Sequence, residues 1–415
     1  MSSIDIHQIP LSDEMTDELR GFLRAFRLAF VEADPNAETE AEWLAWVQEQ
    51  HPRLKGVYDP DAERSPGYAT TPVATFLSFD GTYNSGASLL DTSMITDVTV
   101  RPTHRRRGLL KALMTNELNE AKNRGQALCA LTATDAKIYG RFGFGIASRI
   151  VSVEAHTGHD FDIVTPWKGT VHLVDPVAAT ETFESLFDAW HQTNRGSLSR
   201  PSHYRRPHFD WKTESQGLAF RAAVHYDEAG EADGAMMWRV EDKGEVLTVV
   251  DLVTLTPDAE LGLWATIGGI ELNHKVKCSL INPDSPLPWC VRDARVLKTV
   301  GISDHIWLRI LDTEAVLAAR GWERDGHFTL GVTDGLGHAD GTFTIDVVDG
   351  RAQVTRTDAP AEAVVSVGDL ASLYSGVLPA QTLHDAGRLE CDKANAERLG
   401  ELFGTRLRPY SLSSF

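Results

Sequence analysis

The stretch VTVRPTHRRRGLLKALM, Val98 to Met114, decides how the chain is read. Val98 and Val100 face one side of a strand and Thr99 the other. Pro102 stops the strand, a basic loop follows, and Gly108 opens an amphipathic helix. The first N–H groups of a helix have no intrahelical partner, and the macrodipole adds partial positive charge there. Glycine lets a bulky anion approach the backbone. Arg105, Arg106 and Arg107 add forked donors. Together these make a cradle for a diphosphate. A bare RRR reads first as a solvated basic loop; strand, loop, glycine and helix in that order reverse the odds.

The rest of the chain sharpens the contrast. It has 415 residues and a formal net charge of -19, with 42% apolar residues. That length implies two or three domains with real cores. So acidic a surface repels nucleic acid and anionic membrane, which are excluded as partners. No apolar run spans a membrane, and the opening residues lack a signal-peptide pattern, so a cytoplasmic protein is expected. Cys129, Cys278, Cys290 and Cys391 lie far apart and read as reduced packing residues. No H-E-x-x-H and no G-x-S-x-G appears, so a metal and a hydrolase nucleophile are not expected. His203 and His208, in HYRRPH, read as structural.

The local pattern is α/β (α+β). An amphipathic helix is expected over 12–32, capped by Ser12, with AEWLAWVQEQ a second helix. ATFLSFD and SLLDTSMITDVTV alternate as strands. After the basic loop and its helix come the buried strand ALCALTAT and the short helix of IYGRFGFGIA. From about residue 151 the strands SVEAHT, TVHLVD, FRAAVHYD, GAMMWRV and EVLTVVDLVTL surround the helix ETFESLFDAWHQTN. The last strand is followed by the helix LGLWATIGGIEL, repeating the strand-then-helix order and suggesting a duplicated fold. INPDSPLPWCV reads as a connector. HFTLGVTD, GTFTIDVVDGRAQVTRT and AVVSVG then form strands, with Asp349-Gly350 a hairpin turn, and DLASLYSG and KANAERLGELFG form helices. The expected division is 1–150, 151–300 and 301–415.

Two nucleotide folds fail on spacing. There is no G-x-x-x-x-G-K-[ST], and Gly143-Phe144-Gly145 lacks the third glycine of a dinucleotide turn. V-x-V-x-P-x-x-R-R-x-G instead resembles the acetyl-CoA signature of the GNAT N-acetyltransferases. THRRRGLL, IYGRFGFG, PDSPLPWCVRDARV, WLRILD, AARG and the terminal aromatic residue resemble, more narrowly, the Eis-type (enhanced intracellular survival) acetyltransferases over nearly the full length. That resemblance implies tandem GNAT folds, the second without the cofactor signature, then a sterol-carrier-protein-like domain, and a homohexamer. It implies acetyl-CoA as co-substrate. Val98, Thr99 and Val100 would meet the pantetheine, and Arg106, Arg107, Gly108, Leu109, Leu110 and Lys111 the pyrophosphate. Thr134 and Asp135 would add further contacts, where the family often has Ser-Glu.

The resemblance also implies roles. Tyr139 would be the general acid, since a phenol of pKa ~10 can protonate a leaving thiolate; by itself a tyrosine reads first as a core residue. The α-carboxylate of Phe415 would be the base, and Asp97 is the second candidate. An acidic residue often precedes the final aromatic in this family; here it is Ser414, which removes one charge from the acceptor pocket. Phe22, Phe26, Trp43 and Trp46 lie on the helices that would wall that pocket, though core packing explains each of them singly. The expected reaction is acetyl transfer to primary amines of small multi-amine acceptors, aminoglycoside-like or polyamine-like. The alternatives are a non-catalytic acyl-CoA or lipid carrier, or a protein lysine acetyltransferase.

Overall fold

This computed structural model describes residues 4–157, 161–202, 219–241, 245–270 and 274–415. Its first sheet has seven strands, ordered β1-β2-β3-β4-β5-β14-β6. These are β1 (His7–Ile9), β2 (Arg53–Val57), β3 (Ala74–Asn84), β4 (Leu89–Val100), β5 (Leu128–Thr132), β6 (Gly145–Ile146) and β14 (Ile306–Ile310). The helices are α1 (Asp17–Ala29), α2 (Ala37–Gln50), α3 (Leu109–Asn123) and the single turn α4 (Ala136–Tyr139). Successive residues of a central strand point to opposite faces. Met94, Leu128 and Ala130 therefore pack with Phe22, Leu23 and Trp43 of α1 and α2. Ile95, Cys129 and Leu131 pack with Leu113, Met114 and Leu118 of α3. This two-faced burial is why ALCAL, Ala127 to Leu131, is apolar without a break.

Helix α1 is shorter than the expected 12–32. Its cap is Thr16, whose hydroxyl accepts from Leu19 N at 3.2 Å. Ser12 accepts from Glu14 N at 3.1 Å in a separate local turn. Two capping residues compete at this end, and the acidic pair Asp17 and Glu18 favours the later one by filling its first turn.

The second sheet also has seven strands, ordered β13-β7-β12-β11-β10-β9-β8. They are β7 (Arg149–His156), β8 (Thr170–Val174), β9 (Ala219–Tyr226), β10 (Ala232–Glu241), β11 (Val246–Thr254), β12 (Lys275–Ile281) and β13 (Leu297–Asp304), with helices α5 (Thr180–Thr193) and α6 (Pro257–Gly268). In both sheets a parallel pair joined by one helix, β4-α3-β5 or β11-α6-β12, lies beside antiparallel strands. The duplication expected from the strand-then-helix order is therefore visible in the topology. The chain also returns. After leaving the second sheet through β13 it enters the first as β14, between β5 and β6.

The third sheet is β17-β16-β15-β18-β19. Its strands are β15 (Gly326–Thr333), β16 (Gly341–Val348), β17 (Arg351–Arg356), β18 (Ala363–Ser366) and β19 (Leu389–Glu390). The remaining helices are α7 (Leu287–Cys290), α8 (Thr313–Ala319), α9 (Val367–Ser375), α10 (Ala380–Asp385) and α11 (Lys393–Phe403). Asp349 and Gly350 both have positive φ, 51° and 72°, as the expected hairpin turn requires.

The third domain is pressed onto the first. A Cβ on Gly145 would lie 1.7 Å from Gly368 O, and one on Gly143 would lie 2.7 Å from Val367 Cγ1. The glycines of RFGFG, Gly143 and Gly145, thus admit the first turn of α9. Gly145→Ala would force β6 and α9 apart. The expected cost is about 2 kcal/mol or more, by analogy with overpacked cores, read as a lower denaturant midpoint.

Candidate functional site

Strands β4 and β5 run parallel but pair only from Thr92↔Leu128 to Ile95↔Leu131. β4 continues to Val100, still paired with β3 on its other edge. Its last residues therefore turn bare backbone groups toward a gap. The register with β3 shifts between Thr75 and Leu77, and Asp97 has φ 50° in the resulting bulge. Thr75 Oγ1 donates to Asp97 O at 2.8 Å and holds the bulge. Asp97 is half-buried at the parting. Burial pushes its carboxyl up to about 7, and nearby Glu32 pushes the same way against a weak bond from Thr96.

Beyond β4 the basic loop is braced. Thr103 Oγ1 lies 2.9 Å from His104 Nδ1, and His104 Nε2 lies 3.0 Å from Asp59 Oδ2. Arg106 takes a left-handed conformation, φ 63°, and Gly108 caps α3 with φ 84° and no side-chain cap bond. Ala112 N is the first to bond back, to Gly108 O at 3.0 Å. The N–H groups of Leu109, Leu110 and Lys111 have no helical acceptor. The helix start is open, as an anion needs it to be.

This loop borders a groove of about 1450 Å³. Val98, Thr99, Val100, Arg106, Gly108, Leu109, Leu110, Lys111, Thr134, Asp135 and Tyr139 all line it. Arg107 does not; its Nη2 reaches Thr103 O at 3.4 Å, whereas Arg105 faces the groove. Asp135 caps α4 through Lys137 N at 3.0 Å. Tyr139, 7% exposed, closes that turn, its ring edge-on to Phe144 at 6.1 Å. Burial first, then the Asp135 charge, raises the phenol pKa, so it stays protonated at neutral pH.

The chain end arrives at the same gap. Thr132, one residue past the last β4 partner, donates from Oγ1 to a carboxylate oxygen of Phe415 at 2.6 Å. The Phe415 ring stands edge-on to Phe79 at 5.6 Å, and Phe79 edge-on to Trp46 at 6.2 Å. Ser414 is exposed. Of the other candidates for the acceptor wall, Phe22 and Trp43 are 0% and 2% exposed and stack on each other in the core at 6.0 Å, so packing is their role. Phe26 is half-buried against the same cluster as Phe415. Phe30 and Ala29, at the end of α1, line the groove.

Several residues around the site had no signal of their own. Phe79 and Thr132 are ordinary strand residues until the terminus meets them. Arg388, Asp369 and Ser366 come from the third domain. His203 and His208 lie outside the described residues. Among the described residues no His, Cys, Asp and Glu group could hold a metal, and no helix is long and apolar enough to cross a membrane.

Comparison with known proteins agrees with the geometry. Profiles described as acetyltransferase (GNAT) domains match residues 13–147 and 196–310, and a sterol carrier protein domain matches 313–412. The chain is 32% identical over 355 residues to N-acetyltransferase Eis of Mycobacterium tuberculosis, covering 82% of this chain and 84% of that one. An uncharacterized N-acetyltransferase of Streptomyces griseus is 32% identical over 367 residues, covering 81% and 85%. The crystal structure of Eis1 from Mycobacterium abscessus superposes with a TM-score of 0.83 at 26% identity, over 99% and 100% of the two chains. A probable N-acyltransferase of Enterococcus faecalis shares the fold, with a TM-score of 0.82, 18% identity and 99% coverage of both chains.

Asp97 generates a stability prediction. Its folded pKa is raised, so the folded state holds this proton more tightly than the unfolded chain does. The contribution is full below the ordinary carboxylate range and is lost as pH rises toward about 7. Asp97→Asn removes that loss. Melting curves should show the variant gaining on the parent protein at about pH 8 and not at about pH 4.

Proposed function

The chain belongs to the Eis-type N-acetyltransferases of the GNAT family, and from that premise we propose that it moves the acetyl group of acetyl-CoA to a primary amine of a small multi-amine acceptor, aminoglycoside-like or polyamine-like. The open end of β4 would take the pantetheine amides through bare backbone groups at Val98 to Val100. Arg106 and the N–H groups of Leu109 to Lys111 would take the pyrophosphate. Arg107 plays a lesser part in this reading, because its guanidinium is turned to Thr103. Thr134 and Asp135 border the same groove.

The amine attacks the thioester carbonyl, the tetrahedral adduct expels the CoA thiolate, and Tyr139 gives that thiolate its proton. The nitrogen, now cationic, gives up a proton to the Phe415 carboxylate. The observation that supports this most is the bond from Thr132 Oγ1 to that carboxylate at 2.6 Å, at the parting of β4 and β5. A half-buried aromatic ring, that of Phe415 against Phe79, restrains the chain end from fraying.

One observation favours a second base. An α-carboxyl of pKa ~3.5 is a weak proton acceptor, whereas Asp97 is raised to about 7 at the same parting. The pH profile separates the two. If Asp97 takes the proton, kcat/KM rises with pH through an acid limb near 7, and Asp97→Asn abolishes that limb. If Phe415 does, the limb lies well below 7 and survives Asp97→Asn. The reading also extends to a cytoplasmic homohexamer, which light scattering would test.

Thiol release from acetyl-CoA, followed over a panel of multi-amine acceptors, tests the function. Tyr139→Phe should lower kcat about a hundredfold or more, the usual worth of a general acid, with acetyl-CoA affinity little changed. Unchanged kcat in this variant would remove Tyr139 from the mechanism.

A further inference from the structure

The molecule contains a second parting of parallel strands. β11 and β12 pair from Val246↔Lys275 to Val249↔Cys278 and then separate, although β11 runs on to Thr254 and β12 to Ile281. In the first domain the corresponding opening leads to a helix start with bare N–H groups and arginines. In the second it leads to α6, which is capped by Thr256 and begins at Pro257, with Asp258 and Glu260 in its first turn. Proline has no N–H to offer. Glu260 is buried, and its carboxylate accepts from Ser285 Oγ at 2.5 Å. A diphosphate arriving here would meet carboxylates.

The chain's own tail reaches this opening. The Tyr410 hydroxyl donates to the Leu280 carbonyl of β12, past Cys278, the last residue paired with β11. Its ring stands edge-on to Trp190 of α5 at 5.8 Å, and Tyr410 and Leu412 pack with Val253 of β11. A Cβ on Gly196 would lie 2.6 Å from Pro409, so that glycine admits the tail. Ser411 and Ser413 then clamp one residue between them. Leu198 N donates to Ser411 Oγ at 3.3 Å, and Ser413 Oγ donates to Leu198 O at 2.9 Å. Leu198 itself bridges Tyr83 at the end of β3. The stretch from Tyr410 to Phe415 spans at most about 18 Å when extended, so these anchors leave the carboxylate little freedom beside Thr132. The tail joins the two partings: Tyr410 engages the second and the Phe415 carboxylate the first.

We propose that the strand opening of the second domain is a socket for the carboxyl-terminal tail, and that Tyr410 seated in it is the positioning residue for the Phe415 carboxylate. The proposal rests on the reading of that carboxylate as proton acceptor. It explains what the duplicated domain does. That domain gives up a cofactor of its own and sets the geometry of the group that serves the first. A carboxylate displaced by a fraction of an ångström orients the acceptor amine less well, which lowers kcat before it alters acetyl-CoA binding.

A double-mutant cycle tests it in the full-length protein. Tyr410→Phe keeps the ring and removes the bond to Leu280. The partner variant appends two glycines after Phe415, which moves the terminal carboxylate and keeps the ring. Tyr410→Phe should lower kcat about threefold to tenfold, the usual worth of one hydrogen bond, with the acetyl-CoA dissociation constant unchanged. In the extended chain the same substitution should have no further effect. An equal loss in both backgrounds would mean that Tyr410 is merely structural, and no loss would remove it; either overturns the proposal. If the extension alone leaves kcat unchanged, it is the carboxylate's role as base that fails. Calorimetric titration with acetyl-CoA gives an independent readout of the socket: one site per chain is expected, and two would overturn it. Should Tyr410→Phe fail to fold, Ser413→Ala enters the same cycle and is judged by the same outcomes.

Discussion

A parallel strand pair that stops pairing halfway is the constraint around which this molecule is arranged. Buried backbone N–H and C=O groups need partners, and each one left bare costs about 1–3 kcal/mol. β4 carries such groups from Thr96 to Val100 on the edge facing β5. The strand cannot relax sideways, because β3 holds its other edge up to Ala74↔Val100. The bulge at Asp97, with its left-handed φ of 50°, keeps the end of the strand turned outward. A gap with fixed walls and unspent hydrogen-bonding capacity suits an amide-bearing ligand arm.

Charge works in the same direction. The chain is formally at -19, yet the loop after β4 offers Arg105, Arg106 and Lys111 beside an uncapped helix start. An anion near the protein is repelled by most of the surface and held at one place, which favours binding there over adhesion elsewhere. The second domain inverts this arrangement. Its equivalent helix start carries Pro257, Asp258 and Glu260. The fold was kept and the sign was changed.

Much of this was legible because it is local. Strand, basic loop, glycine and helix lie within Val98 to Met114, and each step follows from backbone rules that need no tertiary contact. The Asp349-Gly350 hairpin is legible for the same reason. What was not legible depends on distant partners. Nothing local in IWLRI says that β14 enters the first sheet between β5 and β6 instead of opening the third domain. Gly143 and Gly145 have the look of a nucleotide turn, but Gly145 is set by the backbone of α9 at Gly368 and Gly143 by a positive φ and the side chains of Val367 and Arg309. Phe22 and Trp43 share the helical spacing of a pocket wall and of a core alike, and full burial decides for the core. Arg107 is chemically equal to its neighbours; only the left-handed Arg106 before it turns its guanidinium back to Thr103.

The tail shows how the duplicated fold restrains the end of the chain. A free terminus is the most mobile part of a chain and a poor place for a reactive group. It becomes usable only if its entropy is removed beforehand by contacts outside the reacting centre. The first domain alone offers little for this: the Thr132 hydroxyl and an aromatic wall at Phe79 and Trp46. The second domain offers apolar side chains beside its own parting of strands, and the tail packs there through Tyr410 and Leu412. The segment 196–199 bonds to the end of β3 on one side and clamps Ser411 and Ser413 on the other. The ordering entropy is thus met by burial about an extended hexapeptide's reach away, and the carboxylate arrives at the first parting already restrained. A single GNAT domain would have only groups on its own strands at this parting, such as Asp97; two domains and a tail bring the end of the chain there as well.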